Sequence, residues 1–305
     1  MNGRASYADW IAVDWGTSRL RVWAMGADGS VRAKAESDDG MGGLSRDGFE
    51  PALLHLIEPW LGGTPMLVLA CGMVGSRQGW AEMPYLSVPA KPGDLEPRPV
   101  KAQDPRLRLF ILPGLSQSSP ADVMRGEETQ VGGFLAKEPD FDGILCLPGT
   151  HTKWVHISAA EIVSFQTYMT GEMFALLAGQ SVLRHSVAQD GEAPEIFVEA
   201  VGDIMSRPER LAQRLFALRA ESILNGQDGV AARARLSGYL IGAELAGSRP
   251  YWLGQNVVVA GSAPLAQLYG DALAAQGLTT RVTDASPLTL AGLCQAAARI
   301  LERTT

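Results

Sequence analysis

The chain is poor in cysteine, histidine and positive charge. Its 305 residues hold three cysteines and four histidines, and Lys and Arg (26) are outnumbered by Asp and Glu (33), for a net charge of −7. Cys71, Cys146 and Cys294 lie far apart in apolar surroundings without metal-ligand spacing, so neither a disulfide framework nor a zinc site is expected. No basic stripe interleaved with aromatics is present, which argues against nucleic acid as a partner. No uninterrupted apolar run approaches the roughly 18 residues of a membrane span, and the opening "MNGRASYADW" lacks the apolar segment of a secretion signal. The expectation is a cytoplasmic protein without a membrane partner. With 46% hydrophobic and 19% charged residues, the chain can bury one large core or two moderate ones.

What is there is organised twice. "WIAVDWG", "RLRVWAMG" and "GSVRAKAES" read as three antiparallel strands with Gly turns, followed by a helical pattern in "RDGFEPALLHLIEPWL" and a buried strand in "PMLVLACG". The stretch 73–107 is too proline-dense for regular structure and reads as a functional loop. "LRLFILPG" is another strand, and "ADVMRGEETQVGGFLAKE" runs at helical spacing. The order then restarts: "FDGILCLPG", "TKWVHIS" and "EIVSFQTYM" as strands, then helices, a late buried strand "NVVVAGS", and a terminal helix "PLTLAGLCQAAARIL". This suggests a duplicated α/β architecture divided at "KEPDFD", giving domains 1–138 and 139–305.

Each half places Gly-Thr at the tip of its first hairpin, in "VDWGTSRLRVW" and in "LPGTHTKWV". A plain turn needs only glycine and a polar neighbour, whereas hydroxyls and turn N–H groups together are a means of holding phosphate. Two such hairpins facing one another across a cleft would hold a triphosphate from both sides; the plain reading of either turn is an ordinary hairpin. Asp14 sits beside the first turn, and a carboxylate next to phosphate is repulsive unless a cation intervenes, which suggests Mg²⁺.

"DWGTSRLR", "PGTHTKW" and "VAGSAPLA" together resemble the phosphate and adenosine motifs of the actin-like ATPase superfamily. More narrowly, "IAVDWGTSRLRVW", "CGMVGSRQGW", "PYLSVPA", "VMRGEETQVGG", "LPGTHTKWV" and "MTGEMFALL" resemble the 2-dehydro-3-deoxygalactonokinase family over nearly the whole chain. The resemblance implies two ribonuclease-H-like domains with mixed five-stranded sheets around an ATP cleft, the substrate site in the first and the nucleotide site in the second. It implies Mg²⁺ and transfer of the γ-phosphoryl group of ATP to the 6-hydroxyl of 2-dehydro-3-deoxy-D-galactonate, in galactonate catabolism. An actin-like ATP switch, a phosphatase of the same superfamily and a kinase for another sugar acid stay open as alternatives.

Phosphoryl transfer needs positioning, charge neutralisation and a proton acceptor. Asp14, Asp122, Glu127 and Glu128 are candidate acceptors, with Asp14 committed to the metal. Related kinases carry the base in a Gly-Asp pair before the second phosphate motif, so the resemblance points to Gly126-Glu127 and makes Glu127 the base, with Glu128 behind it. The plain reading of this acidic pair is charge at a helix N-terminus. Gly16, Thr17, Ser18, Gly149, Thr150, Gly171, Gly261 and Ser262 are expected around the nucleotide. Gly72, Gly75, Ser76, Arg77, Trp80, Tyr85, Arg125 and His151 are expected around the sugar acid, with Arg125 or Arg77 on its carboxylate. Ordinary loop packing is the plain reading of Trp80 and Tyr85, as solvation is of either arginine. The oligomeric state stays open, a homodimer among the candidates.

Overall fold

In the computed structural model, residues 7–302 are described. The expectation of irregular ends, at the first few residues and at the closing Arg-Thr-Thr, lies outside them. Two compact units emerge: one takes the residues up to Phe141, Ser158–Val163 and the residues from Ser286 on; the other takes Asp142–Ile157 and Ser164–Ala285.

The first unit opens with β1 (Trp10–Trp15), β2 (Leu20–Met25) and β3 (Val31–Ser37), followed by α1 (Phe49–Ile57) and β4 (Met66–Gly72). Then come β5 (Tyr85–Ser87), β6 (Arg98–Val100), β7 (Leu107–Ile111), β8 (Gly114–Ser118), β9 (Ala121–Met124) and α2 (Glu127–Lys137). The main sheet has the order β3-β2-β1-β4-β7-β6, with β1, β4 and β7 parallel to one another and β2 antiparallel to β1. β1 and β4 are buried along their whole length, which is why they read as continuous apolar runs rather than alternating ones. Trp15, Val13, Val68, Phe49 and Leu53 are fully buried in its core.

Two expectations fail here. The stretch 73–107 contains β5 and β6, so the main sheet has six strands rather than five. Proline is compatible with β6 because the strand pairs only with β7 at the sheet edge, where no second neighbour requires an N–H. Helix α2 starts at Glu127 rather than near Ala121. The preceding residues pair as β9 against β8, and Gly126, at φ +111°, breaks the chain direction just before the first helical turn.

The second unit repeats the strand order. Its elements are β10 (Gly143–Leu147), β11 (Thr152–Ser158) up to Ile157, β12 (Glu161–Tyr168) from Ser164 on, α3 (Thr170–Gln180), α4 (Pro194–Ser206), α5 (Leu211–Asn225), α6 (Gly229–Gly247), α7 (Arg249–Trp252), β13 (Val257–Gly261), α8 (Ala263–Ala274) and β14 (Arg281–Asp284). Its five-stranded sheet runs β12-β11-β10-β13-β14, with β10 antiparallel to β11 and parallel to β13. Trp154, Val201, Leu245 and Val259 are fully buried in its core. No helix among the described residues is long and apolar enough to cross a membrane.

The last helix, α9 (Ser286–Glu302), groups with the first unit, so a linear division near residue 138 separates it from the elements it packs on. Glycine explains the packing: a Cβ on Gly133 of α2 would lie 1.9 Å from the Leu288 carbonyl oxygen, and one on Gly292 would lie 2.0 Å from that of Thr129. The two helices meet backbone to backbone. Gly133→Ala is therefore expected to destabilise the chain by about 1–3 kcal/mol in urea unfolding, because overpacking outweighs the roughly 1 kcal/mol that alanine gains in helix propensity. An unchanged or raised midpoint would show that the helices separate without cost.

Candidate active site

In the first unit, four segments converge at the carboxyl ends of β1 and β4, the end where open α/β sheets place ligands. Asp14 lies opposite Arg21 across the β1–β2 hairpin and beside Cys71 of β4. Arg21 Nη2 donates to Asp14 Oδ2 at 2.5 Å, while Oδ1 faces the Cys71 thiol at 4.0 Å. Burial pushes the Asp14 carboxyl above its usual range although Arg21 opposes this, and the nearby Glu127 charge adds to the rise.

The turn Gly16–Arg19 closes with the Gly16 N–H donating to the Arg19 carbonyl at 2.8 Å, leaving Thr17 and Ser18 exposed at its tip. A segment overlooked in the sequence supports this turn from behind. Met41 N–H donates to Gly16 O and Gly42 N–H to Thr17 O, while Trp15 Nε1 donates to Asp39 O. Gly40 lies so close that a Cβ there would sit 2.3 Å from the Thr17 carbonyl oxygen. The glycine density of "DDGMGG" was the available signal.

Gly72, at φ +90°, brings β4 against Trp15 and leaves room for Gly126. That contact places the start of α2 beside β1. Glu127 and Glu128 diverge there. The Glu127 carboxylate accepts the Arg125 N–H at 3.0 Å and remains partly exposed. Glu128 is fully buried, folds back onto the Gly126 N–H at 2.7 and 2.9 Å, and is pushed up to about 7 by burial and by the Glu127 charge. Cys71 beside them is driven upward by burial and by Asp14 and Glu128, so it stays a thiol.

Arg125 is buried, with Nη2 donating to Met83 O at 2.9 Å, Nε donating to Tyr85 Oη at 3.3 Å, and the guanidinium 4.2 Å from the Tyr85 ring centre. Its Nη1 is buried without a protein partner, as is the Ser76 hydroxyl, and a Cβ on Gly75 would lie 2.9 Å from that Nη1. A buried donor left unpaired costs about 1–3 kcal/mol, and both of these lie near Gly75. Arg77 is exposed, its carbonyl receiving Arg46 Nη2 at 3.1 Å. Trp80 packs edge-on against Trp15 at 6.3 Å and tilted against Phe49 at 6.4 Å, closing the hydrophobic core. The structure thus brings together Asp14, Gly72, Gly75, Ser76, Tyr85, Arg125 and Glu127, while the Arg77 side chain is exposed and Trp80 packs on Trp15 and Phe49.

In the second unit, the turn Pro148–His151 has the same length as Gly16–Arg19. Thr150 is exposed at its tip. Helix α3 begins against it: Glu172 N–H donates to Thr150 O at 2.9 Å, and a Cβ on Gly171 would lie 2.2 Å from the Gly149 carbonyl oxygen. His151 Nε2 pairs with Glu172 Oε2 at 2.6 Å, both side chains substantially exposed. On the other side Gly261, ending β13, packs on Pro148, and Ser262 precedes α8 without capping it through its side chain. Gly149, Thr150, Gly171, Gly261 and Ser262 therefore cluster at one end of this sheet.

Thr152, Lys153 and Trp154 are all buried. Thr152 and Trp154 enter a polar network around Glu244, a lone carboxylate in the apolar run "SGYLIGAELAG" with no motif to mark it. Among the described residues no group of three or more His, Cys, Asp and Glu is placed to hold a metal.

Residues 14–296 match the 2-keto-3-deoxy-galactonokinase family. A protein of Rhizobium meliloti (strain 1021) named as a probable 2-dehydro-3-deoxygalactonokinase is 38% identical over 297 residues, covering 95% of this chain and 97% of its own. The 2-dehydro-3-deoxygalactonokinase of Escherichia coli (strain K12) is 34% identical over 274 residues, covering 88% and 91%. A crystal structure from Sinorhizobium meliloti assigned to the same enzyme superposes with a TM-score of 0.89 at 38% identity, over 95% of this chain and 96% of that one. An activator of 2-hydroxyisocaproyl-CoA dehydratase from Clostridium difficile, at 11% identity and a TM-score of 0.52 over 97% of each chain, shares the fold alone. A family match across nearly the whole length, with two relatives above 30% identity and a near-complete structural counterpart, establishes that this chain belongs to the 2-keto-3-deoxy-galactonokinase family.

Proposed function

We propose that the chain phosphorylates 2-dehydro-3-deoxy-D-galactonate at its 6-hydroxyl with ATP, and that each unit is a ribonuclease-H-like lobe of the actin-like ATPase class. Family membership over residues 14–296 carries the activity; the repeated strand order supports the lobe reading. The first unit would hold the sugar acid and the second the nucleotide, within the cytoplasm.

The acceptor hydroxyl loses its proton late in phosphoryl transfer, so a reachable carboxylate is sufficient. Glu127 meets that condition because it is partly exposed and oriented by the Arg125 N–H, whereas Glu128 is enclosed and holds Gly126. Glu128 is therefore a positioning residue and Glu127 the base. Arg125, with its unpartnered buried Nη1, takes the substrate carboxylate, supported by Ser76 and with Tyr85 as one wall. Gly149, Thr150 and the N–H groups of their turn take phosphate oxygens, with Gly171, Gly261 and Ser262 lining the nucleoside. Thr17 and Ser18 offer hydroxyls at the first turn.

Asp14 suits Mg²⁺ held through water. Its Oδ1 is not used by Arg21, and burial and the Glu127 charge both disfavour its ionised form, a cost that a cation would relieve. Mg²⁺ ordinarily takes one or two carboxylates and completes its shell with water and phosphate, so the absence of a three-residue cluster is compatible with it. The ion supplies neutralisation of phosphate charge.

The test is ADP release with ATP and Mg²⁺ across the galactonate-derived keto acid, its gluconate epimer, other aldonates and no acceptor. Turnover dependent on the first is expected; release indifferent to every acceptor would overturn the proposal. Arg125→Lys keeps the charge but loses the fork, and is expected to raise KM for the sugar acid about 10–100-fold with KM for ATP little changed, the effect of losing a charged hydrogen bond. Equal changes in both constants would remove Arg125 from the carboxylate.

A further inference from the structure

Glu244 lies within α6 and is buried to 2% exposure. Its Oε1 accepts the Trp154 indole N–H at 2.8 Å and its Oε2 accepts the Tyr269 hydroxyl at 2.7 Å. The Tyr269 hydroxyl is in turn 2.8 Å from Thr152 Oγ1, and the Thr170 hydroxyl also reaches the carboxylate. One side chain thereby links α6 to β11, α3 and α8.

The places it reaches share one property. Thr152 is the first residue after the Pro148–His151 turn, Thr170 directly precedes Gly171, and Tyr269 lies on the helix that follows Gly261 and Ser262. Those are the three segments assigned above to the nucleotide. A buried carboxylate is costly unless its bonds are all made. Here Trp154, Tyr269 and Thr170 make them, and those partners stand on the three segments, so the glutamate ties the segments to one another.

We infer that Glu244 is a positioning residue for the nucleotide, setting the Gly149–Thr150 turn, the start of α3 and helix α8 relative to one another. The inference rests on the nucleotide reading of those segments. Glu244→Gln retains shape and can still accept one of the two hydrogen bonds. Tyr269→Phe removes one hydroxyl, and with it the bonds to Glu244 Oε2 and to Thr152 Oγ1, leaving the carboxylate and its Trp154 bond in place. Leu273→Ala, in the same core and outside the network, serves as the packing control.

ADP affinity by calorimetry, KM for ATP and for the sugar acid, and Tm would be measured for each, alongside Thr150→Ala. Glu244→Gln is expected to weaken ADP binding and raise KM for ATP about tenfold, with KM for the sugar acid unchanged and a Tm loss no greater than that of Leu273→Ala. Tyr269→Phe is expected to move the same two constants about threefold, and it decides the matter if Glu244→Gln does not fold. ADP affinity at the parent level in both network variants, while Thr150→Ala is weakened, would overturn the inference and leave the nucleotide reading standing. Equal loss of ADP affinity in Leu273→Ala would also overturn it, by showing general softening. Parent affinity in Thr150→Ala would overturn the nucleotide reading of the turn and the inference with it.

Discussion

Glu127→Gln is expected to lower kcat by about two to four orders of magnitude, the range a positioned general base contributes, while leaving Tm and KM for ATP near their parent values. Glutamine fills the same space and its amide oxygen can still accept the Arg125 N–H, so the fold has no reason to respond. What is lost is the capacity to take a proton from the acceptor hydroxyl. Steady-state turnover, with Tm measured in parallel, checks this. Turnover within a few-fold of the parent would remove Glu127 from the chemistry. Glu128 could not replace it without rearrangement, since it is enclosed and both its oxygens are engaged by the Gly126 N–H.

The second large effect belongs to Asp14. Asp14→Asn retains the geometry at the end of β1 but removes the negative charge, and kcat is expected to fall about 10²–10³-fold, comparable with the loss of one preorganised electrostatic group. The Mg²⁺ concentration needed for half-maximal rate should rise in the same variant. Arg21, its present partner, is partly exposed and can be solvated once the carboxylate is gone, so the fold should persist. A Mg²⁺ titration of the rate against that of the parent is the measurement. An unchanged Mg²⁺ requirement with a reduced rate would assign Asp14 to positioning of the β1–β2 hairpin through Arg21 instead.

A conformational ATP switch would have no need of a buried arginine whose Nη1 is left without a partner, and Arg125 provides that. Family membership agrees with the same choice.

Much of this protein was legible in the order of its residues. Gly-Thr turns between apolar strands are local chemistry, and neighbouring residues suffice to specify them; the two matching turns, Asp14 beside the first, and Gly126 at the head of an acidic helix were all visible that way. Other features depended on partners distant in the chain. Proline density hid β6, because an edge position that tolerates proline is defined by which strand lies beside it. The helix expected from Ala121 yielded its first turn to a strand because β8 supplies backbone partners there. Glu127 and Glu128 are chemically alike in sequence, and only burial against β4 and Gly126 separates a reachable carboxylate from an enclosed one. Arg125 and Arg77 were likewise equivalent until Met83, Tyr85 and Gly75 surrounded one of them. Helix α9 joins the first unit because two glycines far apart in the chain let backbones touch, and Glu244 gained its partners from β11, α3 and α8. Local turn chemistry and periodicity are properties of adjacent residues and so belong to the sequence; burial, reach and the pairing of polar atoms are properties of position in space, which only the tertiary structure decides.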